Sequence, residues 1–509
     1  MPWPRAASTR ADARWASASS TAWAASLRPS RKPAPWPASR ASPKSSTSSP
    51  TDPPSCSAST RAAAEPSTPS SPTAKSRSPS PASPSSPIAP GGSTAAKGAS
   101  PRGERTAASV AAQLRAASPP RRLARPAGRA GRIGAVKDRA RVVVIGGGLA
   151  GATAAWGLAR RGHRVILFER EERPGVHASG RNAGMIRRLV AEPAIATLAR
   201  EGARLLGEPP ADLARVLDAA LVRRTGSVLL AAPPEAAALR PALATAQAAG
   251  LGAHEADPRA CALHGLRPLP GATAFVTPED GVGDPHAVLS ALLRAARAAG
   301  ARVECDAPAR VRAGAAGAVG VETRGERFVP ADVVVNAAGP WAEDLARAAG
   351  ASPPPLSHYR RHLFYTGPLE GIDPDAGWVW DVSQGFYARP ESAGLLLCAC
   401  DEEARPPEDA RPDAAAALRL AEKAARAAPR WSEHPVARLW AGLRSFAPDR
   451  LFVIGWDAGL RGLFHLTALG GHGLTVSLAL AEPVALAVEG RTPAVLAPFA
   501  PTRLQAVPS

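Results

Sequence analysis

Hydrophobic and polar positions divide the chain at about residue 135. Upstream, Met1, Leu27, Ile88, Val110, Leu114, Leu123 and Ile133 are its entire complement of Leu, Ile, Val, Met and Phe. Downstream, apolar residues recur with readable periods. Arg141-Val-Val-Val-Ile145 and Arg164-Val-Ile-Leu-Phe-Glu169 predict buried strands, and the small apolar stretch between them predicts a tight turn and a helix to about Arg161. Apolar residues recur at helical spacing from Leu289 to Ala299, and Leu474 to Val488 predicts a second, strongly apolar helix. Thr225-Gly-Ser-Val-Leu-Leu230 and Gly394-Leu-Leu-Leu-Cys398 predict further strands. The longest apolar run, Val142 to Ala159, approaches the length of a membrane span. It is broken by Gly146, Gly147, Gly148 and Gly151, so no transmembrane segment is predicted.

Charge sharpens the same division. The net charge of +19 suggests a nucleic-acid or anionic-surface binder. Residues 1–135, however, hold 20 basic and 4 acidic side chains, leaving a nearly balanced 42 and 39 for the remainder. With 22 Pro, 28 Ser and seven sizeable aliphatic or Phe residues, the front segment cannot offset an ordering cost of ~1–2 kcal/mol per residue. Residues 1–138 are therefore expected to be a disordered, low-complexity basic segment. A solvated tail, an overlong targeting segment, and translated GC-rich sequence ahead of a start near Val136 all fit this composition. It lacks the compact apolar stretch of an export signal after Arg121-Arg122. Binding of nucleic acid through this segment is the competing reading from another functional class. Trp3, Trp15, Trp23 and Trp36 do not amount to the aromatic interleaving that base recognition needs, so no nucleic-acid partner is expected.

The five cysteines, Cys56, Cys261, Cys305, Cys398 and Cys400, are odd in number and lack disulfide or zinc spacing, which points to a reducing, cytoplasmic setting. Cys398 and Cys400 are expected on one face of a strand.

Chemistry enters at the first turn. Gly146, Gly148 and Gly151 fit G-x-G-x-x-G after a strand and before a helix, and Glu169 ends the next strand 18 residues on. The first glycine permits the sharp turn, the second lets backbone approach a pyrophosphate, and the third allows close helix packing. The helix amides would hold the diphosphate, and Glu169 the adenosine ribose hydroxyls. This context predicts a dinucleotide site without separating FAD from NAD. Gly175 to Met185, rich in small and polar residues, suits a loop lying against the cofactor.

From about residue 139 to 505 the chain resembles the FAD-dependent amino-acid and amine oxidoreductases, the family of D-amino-acid oxidase, glycine oxidase and sarcosine oxidase. Beyond the glycine turn, the resemblance rests on Ser179-Gly-Arg-Asn-Ala-Gly184, Gly281-Val-Gly-Asp-Pro-His286, Ala331-Asp-Val-Val-Val-Asn-Ala-Ala-Gly-Pro-Trp341, Ala441-Gly-Leu-Arg-Ser-Phe-Ala-Pro-Asp449, Gly470-Gly-His-Gly-Leu-Thr475 and the closing Leu496 to Arg503. It implies a mixed α/β fold in which a Rossmann-like FAD-binding domain (about 139–225, 275–345 and 445–490) interleaves with a mixed-sheet substrate cap (about 226–274 and 346–444). It also implies FAD contacts at Gly146, Gly148, Leu149, Ala150, Gly151, Glu169, Arg170, Ser179, Arg181, Asn182, Ala183, Gly184, Ala309, Ala338, Gly339, Gly470, Gly471, His472, Gly473, Leu474 and Thr475.

The implied reaction is oxidation of the carbon–nitrogen bond of an amino acid or secondary amine acid to an imine, which water hydrolyses. Oxidation of a 2-hydroxy acid is the alternative. Arg444 falls where the family binds substrate carboxylate, and a guanidinium fork suits that task. Tyr387 resembles the family's active-site tyrosine. His472 is read as a flavin contact or helix cap rather than a base. The cluster His358, Arg360, Arg361 and His362 is read as ion-paired, with contact to an acidic substrate as the alternative. The single lysine after residue 138, Lys423, lies in a helix-like stretch, so the oxygen-activating lysine of sarcosine-oxidase-type enzymes has no counterpart. The electron acceptor is O2 or a quinone or other carrier. No cysteine lies near Arg444, and Arg181 stands where an attaching histidine is expected, with His177 four residues upstream, so FAD is expected to be non-covalent.

Overall fold

The computed structural model describes residues 139–504, so the expected disordered segment 1–138 lies outside the described residues. Six strands make the first layer: β1 (Arg141–Ile145), β2 (Arg164–Phe168), β3 (Arg302–Glu304), β4 (Val333–Asn336), β5 (Val453–Trp456) and β6 (Leu463–Thr467), in the order β5-β6-β4-β1-β2-β3. All neighbours are parallel except β5 and β6. The Val/Ile runs explain the arrangement, because a strand buried on both faces is the central strand of a covered parallel sheet. Val142 to Ile145 and Val333 to Asn336 are all buried and pair residue for residue.

The covering helices are α1 (Leu149–Ala159), α2 (Pro193–Gly207), α3 (Pro285–Ala298) and α4 (Gly473–Val488). α1 and α4 touch backbone to backbone, since a Cβ at Gly157 would sit 2.3 Å from the Ala481 carbonyl oxygen. α2 approaches the same helix through Gly202, where a Cβ would lie 2.0 Å from the Thr475 oxygen. α3 begins earlier than its apolar periodicity predicts, because the Asp284 carboxylate caps the amides of His286 and Ala287 and Pro285 opens the helix.

The second layer is a nine-stranded mixed sheet. Its long strand Ser357–Pro368 pairs along its length with Arg438–Phe446, and the sheet continues through Gly394–Cys398, Phe386–Glu391, Trp378–Asp381, Ser227–Ala231 and Thr273–Thr277. The sheets therefore draw on alternating stretches of chain. Two predicted boundaries need correction. A switch at 275 cuts Thr273–Thr277, which pairs with Ser227–Ala231, and a switch at 445 cuts Arg438–Phe446. The cysteine expectation is also corrected: the strand stops at Cys398, and Cys400 turns back with φ +49°, its amide donating to the Cys398 Sγ at 3.3 Å. No helix among the described residues is long and apolar enough to cross a membrane.

Candidate active site

A cavity of about 960 Å³ runs from the end of β1 to the inner face of the second sheet. At one end its walls are main chain. Gly146 has φ +110°, and a Cβ there would lie 2.4 Å from the Ala337 oxygen; one on Gly151 would lie 1.8 Å from the Gly146 oxygen. Only glycine fits either position. Gly148 caps α1 with no side chain, and the first turn of the helix carries no acidic residue, so no carboxylate of the helix itself offsets the positive end of its dipole. The Leu149 amide donates to the Ser179 hydroxyl at 2.9 Å. At the end of β2, the buried Glu169 carboxylate accepts from the Gly147 amide at 2.6 Å and the Glu171 amide at 3.0 Å.

The loop from Gly175 to Gly184 forms one side. Asn182 pins it, donating to the Ser179 carbonyl at 3.1 Å and accepting from the Gly184 amide at 2.7 Å. Arg170 lies over the Trp341 ring at 3.7 Å. Arg181 is spent on protein: its guanidinium donates to the Val176 carbonyl at 2.8 Å, the Ala410 carbonyl at 2.6 Å and Asp409 at 2.5 Å. Its contribution is to tie the loop to the second sheet. His177 bonds Glu171 at 2.8 Å and packs on Trp341.

The far end is built from side chains. Arg444 and Tyr387, on strands of the second sheet, line this end, and Arg444 faces the Gly470–Gly473 turn; a Cβ on Gly471 would lie 3.3 Å from the Arg444 Cδ. Burial, opposed only in part by Glu402, lowers the pKa of Arg444 from its ordinary value. Glu402 takes three guanidiniums, Arg444 at 2.5 Å, Arg450 at 3.2 Å and Arg361 at 3.4 Å. Burial works against its ionisation, but Arg444 and Arg361 outweigh it and hold the carboxyl below the usual range. Tyr387 stands edge-on to Trp380 at 6.0 Å, and burial pushes its hydroxyl well above the ordinary value. The His472 Nε2 accepts from the Arg187 guanidinium at 2.9 Å; burial and the cations Arg187 and Arg444 push the ring down to about 3. A neutral ring at physiological pH accepts that bond through Nε2.

Every predicted site residue except Gly151 lines this one cavity, and Gly151 acts behind it by packing. Arg187, Trp380, Arg450 and Cys400 line it without having been singled out for it. Arg187 was within reach, two residues past the predicted loop. Of the basic cluster, Arg360, His358 and His362 are engaged with Glu403, Ser445 and Asp401 respectively, while Arg361 faces the cavity. Lys423 does not line it; its ammonium donates to the Ala399 and Gly385 carbonyls at 2.7 and 3.1 Å.

The sequence profile described as FAD dependent oxidoreductase (DAO) matches residues 141–486. The chain belongs to this family. It is similar to the D-amino acid dehydrogenase of Paramagnetospirillum magneticum, with 28% identity covering 70% of this chain and 96% of the relative. It is likewise similar to the glycine oxidase of Geobacillus kaustophilus, 29% identical over 71% of this chain and 96% of that one. The crystal structure of that glycine oxidase superposes with a TM-score of 0.62 at 25% identity, covering 73% of this chain and all of the other. The L-proline dehydrogenase of P. horikoshii shares the fold, with a TM-score of 0.64 at 20% identity over 72% of this chain and 98% of that one. This chain is thus an FAD-dependent oxidoreductase by family. Its residues fit the cofactor: glycines leave room at the turn that side chains would fill, and the N-terminus of α1, without a side chain at its Gly148 cap, lines the cavity together with Glu169.

Proposed function

We propose that this chain oxidises the carbon–nitrogen bond of an amino acid or secondary amine acid to an imine, which water hydrolyses to a carbonyl compound and ammonia or an amine. The single observation that supports this best is Arg444, a partly buried guanidinium facing the Gly470–Gly473 turn at the far end of a cavity that begins at a dinucleotide turn. In this reading the α1 amides and Ser179 hold the pyrophosphate of non-covalent FAD, Glu169 its ribose, and the Gly470–Thr475 turn its ring. Bound FAD supplies the hydride acceptor.

The protein's work is orientation and proton bookkeeping. Arg444 takes the substrate carboxylate as a charge-assisted fork, and Tyr387, whose hydroxyl stays protonated, donates to the same group. The surrounding guanidiniums make an ammonium unfavourable, so the amine binds neutral, with its lone pair available to form the C=N bond as hydride leaves the carbon. His472 is neutral and needs no role as a base. O2 or a quinone-type carrier then takes the electrons. Four thiols that are free among the described cysteines support a cytoplasmic setting.

The test is to purify the protein, acid-precipitate it and look for flavin in the supernatant, then add amino acids or 2-hydroxy acids anaerobically. Bleaching by amino acids alone supports the proposal, and bleaching by hydroxy acids alone overturns it.

A further inference from the structure

The substrate end of the cavity carries more positive charge than one carboxylate accounts for. Arg361, Arg444 and Arg450 share Glu402. A fourth guanidinium, Arg187, lines the same end and has no carboxylate within 4.0 Å among the described residues. It is held instead against the His472 ring nitrogen at 2.9 Å and over the Trp380 ring at 4.9 Å. Both contacts orient the guanidinium, and neither cancels its charge. The carboxylate behind it, Asp280, is bound to the Ser227 hydroxyl at 2.7 Å and the Arg188 amide at 2.9 Å. Burial raises that carboxyl to about 7, so even its remote compensation is partial.

Donors point the same way. Arg444 Nε, Arg450 Nη1 and Trp380 Nε1 are buried without an acceptor. Buried cations and donors of this kind are costly unless a ligand satisfies them. A substrate with one carboxylate on Arg444 would leave Arg187 and the Trp380 indole unmet.

We infer that the site is built for an amino dicarboxylate, with Arg444 holding the carboxylate next to the reacting carbon and Arg187, backed by Trp380, holding a second one. The inference rests on the amino-acid reading above and names its substrate class. Arg187 is a specificity residue here: its pairing with the second carboxylate is what separates a diacid from a monoacid of equal length.

The test uses the flavin-loaded protein. Glutarate and pentanoate, which cannot be oxidised, are titrated against the flavin absorbance, and both enantiomers of glutamate and norvaline are compared as substrates. Glutarate is expected to bind about 10–100-fold more tightly than pentanoate, with a matching preference in kcat/KM for one glutamate enantiomer over norvaline. Arg187→Met should bring glutarate down to the pentanoate level, and Arg187→Lys should restore part of the difference. Equal affinity for the two acids, or equal kcat/KM for glutamate and norvaline, overturns this inference and leaves the amino-acid reading intact. Loss of flavin from Arg187→Met with an unchanged glutarate-to-pentanoate ratio assigns Arg187 to the cofactor and overturns it too. Failure of every amino acid to bleach the flavin overturns the amino-acid reading, and this inference with it.

Discussion

The two ends of the cavity solve recognition with different materials. At the β1 end the contacts are chiefly main-chain amides, a glycine turn and one carboxylate between Ile145 and Glu169, with the Ser179 hydroxyl of the neighbouring loop beside them. At the other end they are the side chains of Arg187, Arg361, Trp380, Tyr387, Arg444 and Arg450, brought from distant segments to the inner face of the mixed sheet and its neighbours. A main-chain site dictates residue spacing, because each amide needs its own backbone geometry. A side-chain site dictates only which groups converge, and any strand of suitable register can deliver them. The difference predicts that substitutions at the first end act on fold and cofactor, and those at the second on substrate.

The largest effect that would break this division is expected at Gly151. Gly151→Val places atoms into the Gly146 carbonyl, where even a Cβ would come within 1.8 Å. Because backbone on both sides must shift, destabilisation of about 3 kcal/mol or more is expected together with loss of bound flavin. Thermal unfolding and the flavin-to-protein absorbance ratio measure both. A variant that keeps its flavin and melting temperature would show that the turn is not the rigid element described here.

Next in size is Arg444→Met. Removing a charge-assisted carboxylate contact worth ~1.5–3 kcal/mol should lower kcat/KM for the amino-acid substrate about 10–150-fold while flavin content stays near that of the unaltered protein. Glu402 keeps Arg361 and Arg450 as partners, which limits the structural cost. Loss of flavin in proportion to activity would place Arg444 with the cofactor and erase the contrast between the ends.

This contrast also explains what the sequence disclosed. β1, the turn, α1 and β2 were legible because a Val/Ile run, three glycines and an acid at fixed spacing leave few alternatives. Arg444 and Tyr387 were legible through resemblance alone, since nothing in Gly-Leu-Arg or Phe-Tyr-Ala says what faces them. Arg187 and Arg361 are each part of an Arg-Arg pair, and composition cannot tell which member faces the cavity. Strand alternation decides it for Arg361, which shares its face with Leu363, whereas Arg360 turns to Glu403. Arg181 shows the opposite case: it sits in the cofactor loop and lines the cavity, but its guanidinium is bonded to the Val176 carbonyl of that loop and to Ala410 and Asp409 beyond it. The switches between sheets were misplaced by a few residues because strands run past the points where sequence motifs begin.

A smaller effect belongs to Glu169. Glu169→Gln retains an oxygen that can accept from the Gly147 amide but loses the charge offered to a ribose diol. FAD affinity of the reconstituted apoprotein should fall about tenfold, close to 1.4 kcal/mol, with substrate KM unchanged. A change in KM with no change in FAD affinity would move this residue to the wrong end of the cavity.

The smallest effect, at His472, lies where the two ends meet. In the folded protein its ring is held down to about 3 by burial and by Arg187 and Arg444, against an ordinary value of 6.5. Between these values the unfolded chain binds a proton that the folded chain refuses, so stability falls as pH drops from about 6.5 toward 3 and is fully present above 6.5. One such proton sets a ceiling of ~1.4 kcal/mol per pH unit, and access of solvent to the cavity reduces it. His472→Gln keeps an acceptor for Arg187 without a titrating group, and its stability should decline less steeply across that window in denaturant titrations at successive pH values. The kcat/KM profile from pH 6 to 9 should meanwhile keep its shape, because a ring that is already neutral has no proton to lose there. A His472→Gln profile that loses an ionisation in that range would make the histidine a working base, and the far end of the cavity would then contain acid–base chemistry that four guanidiniums and a protonated tyrosine do not supply.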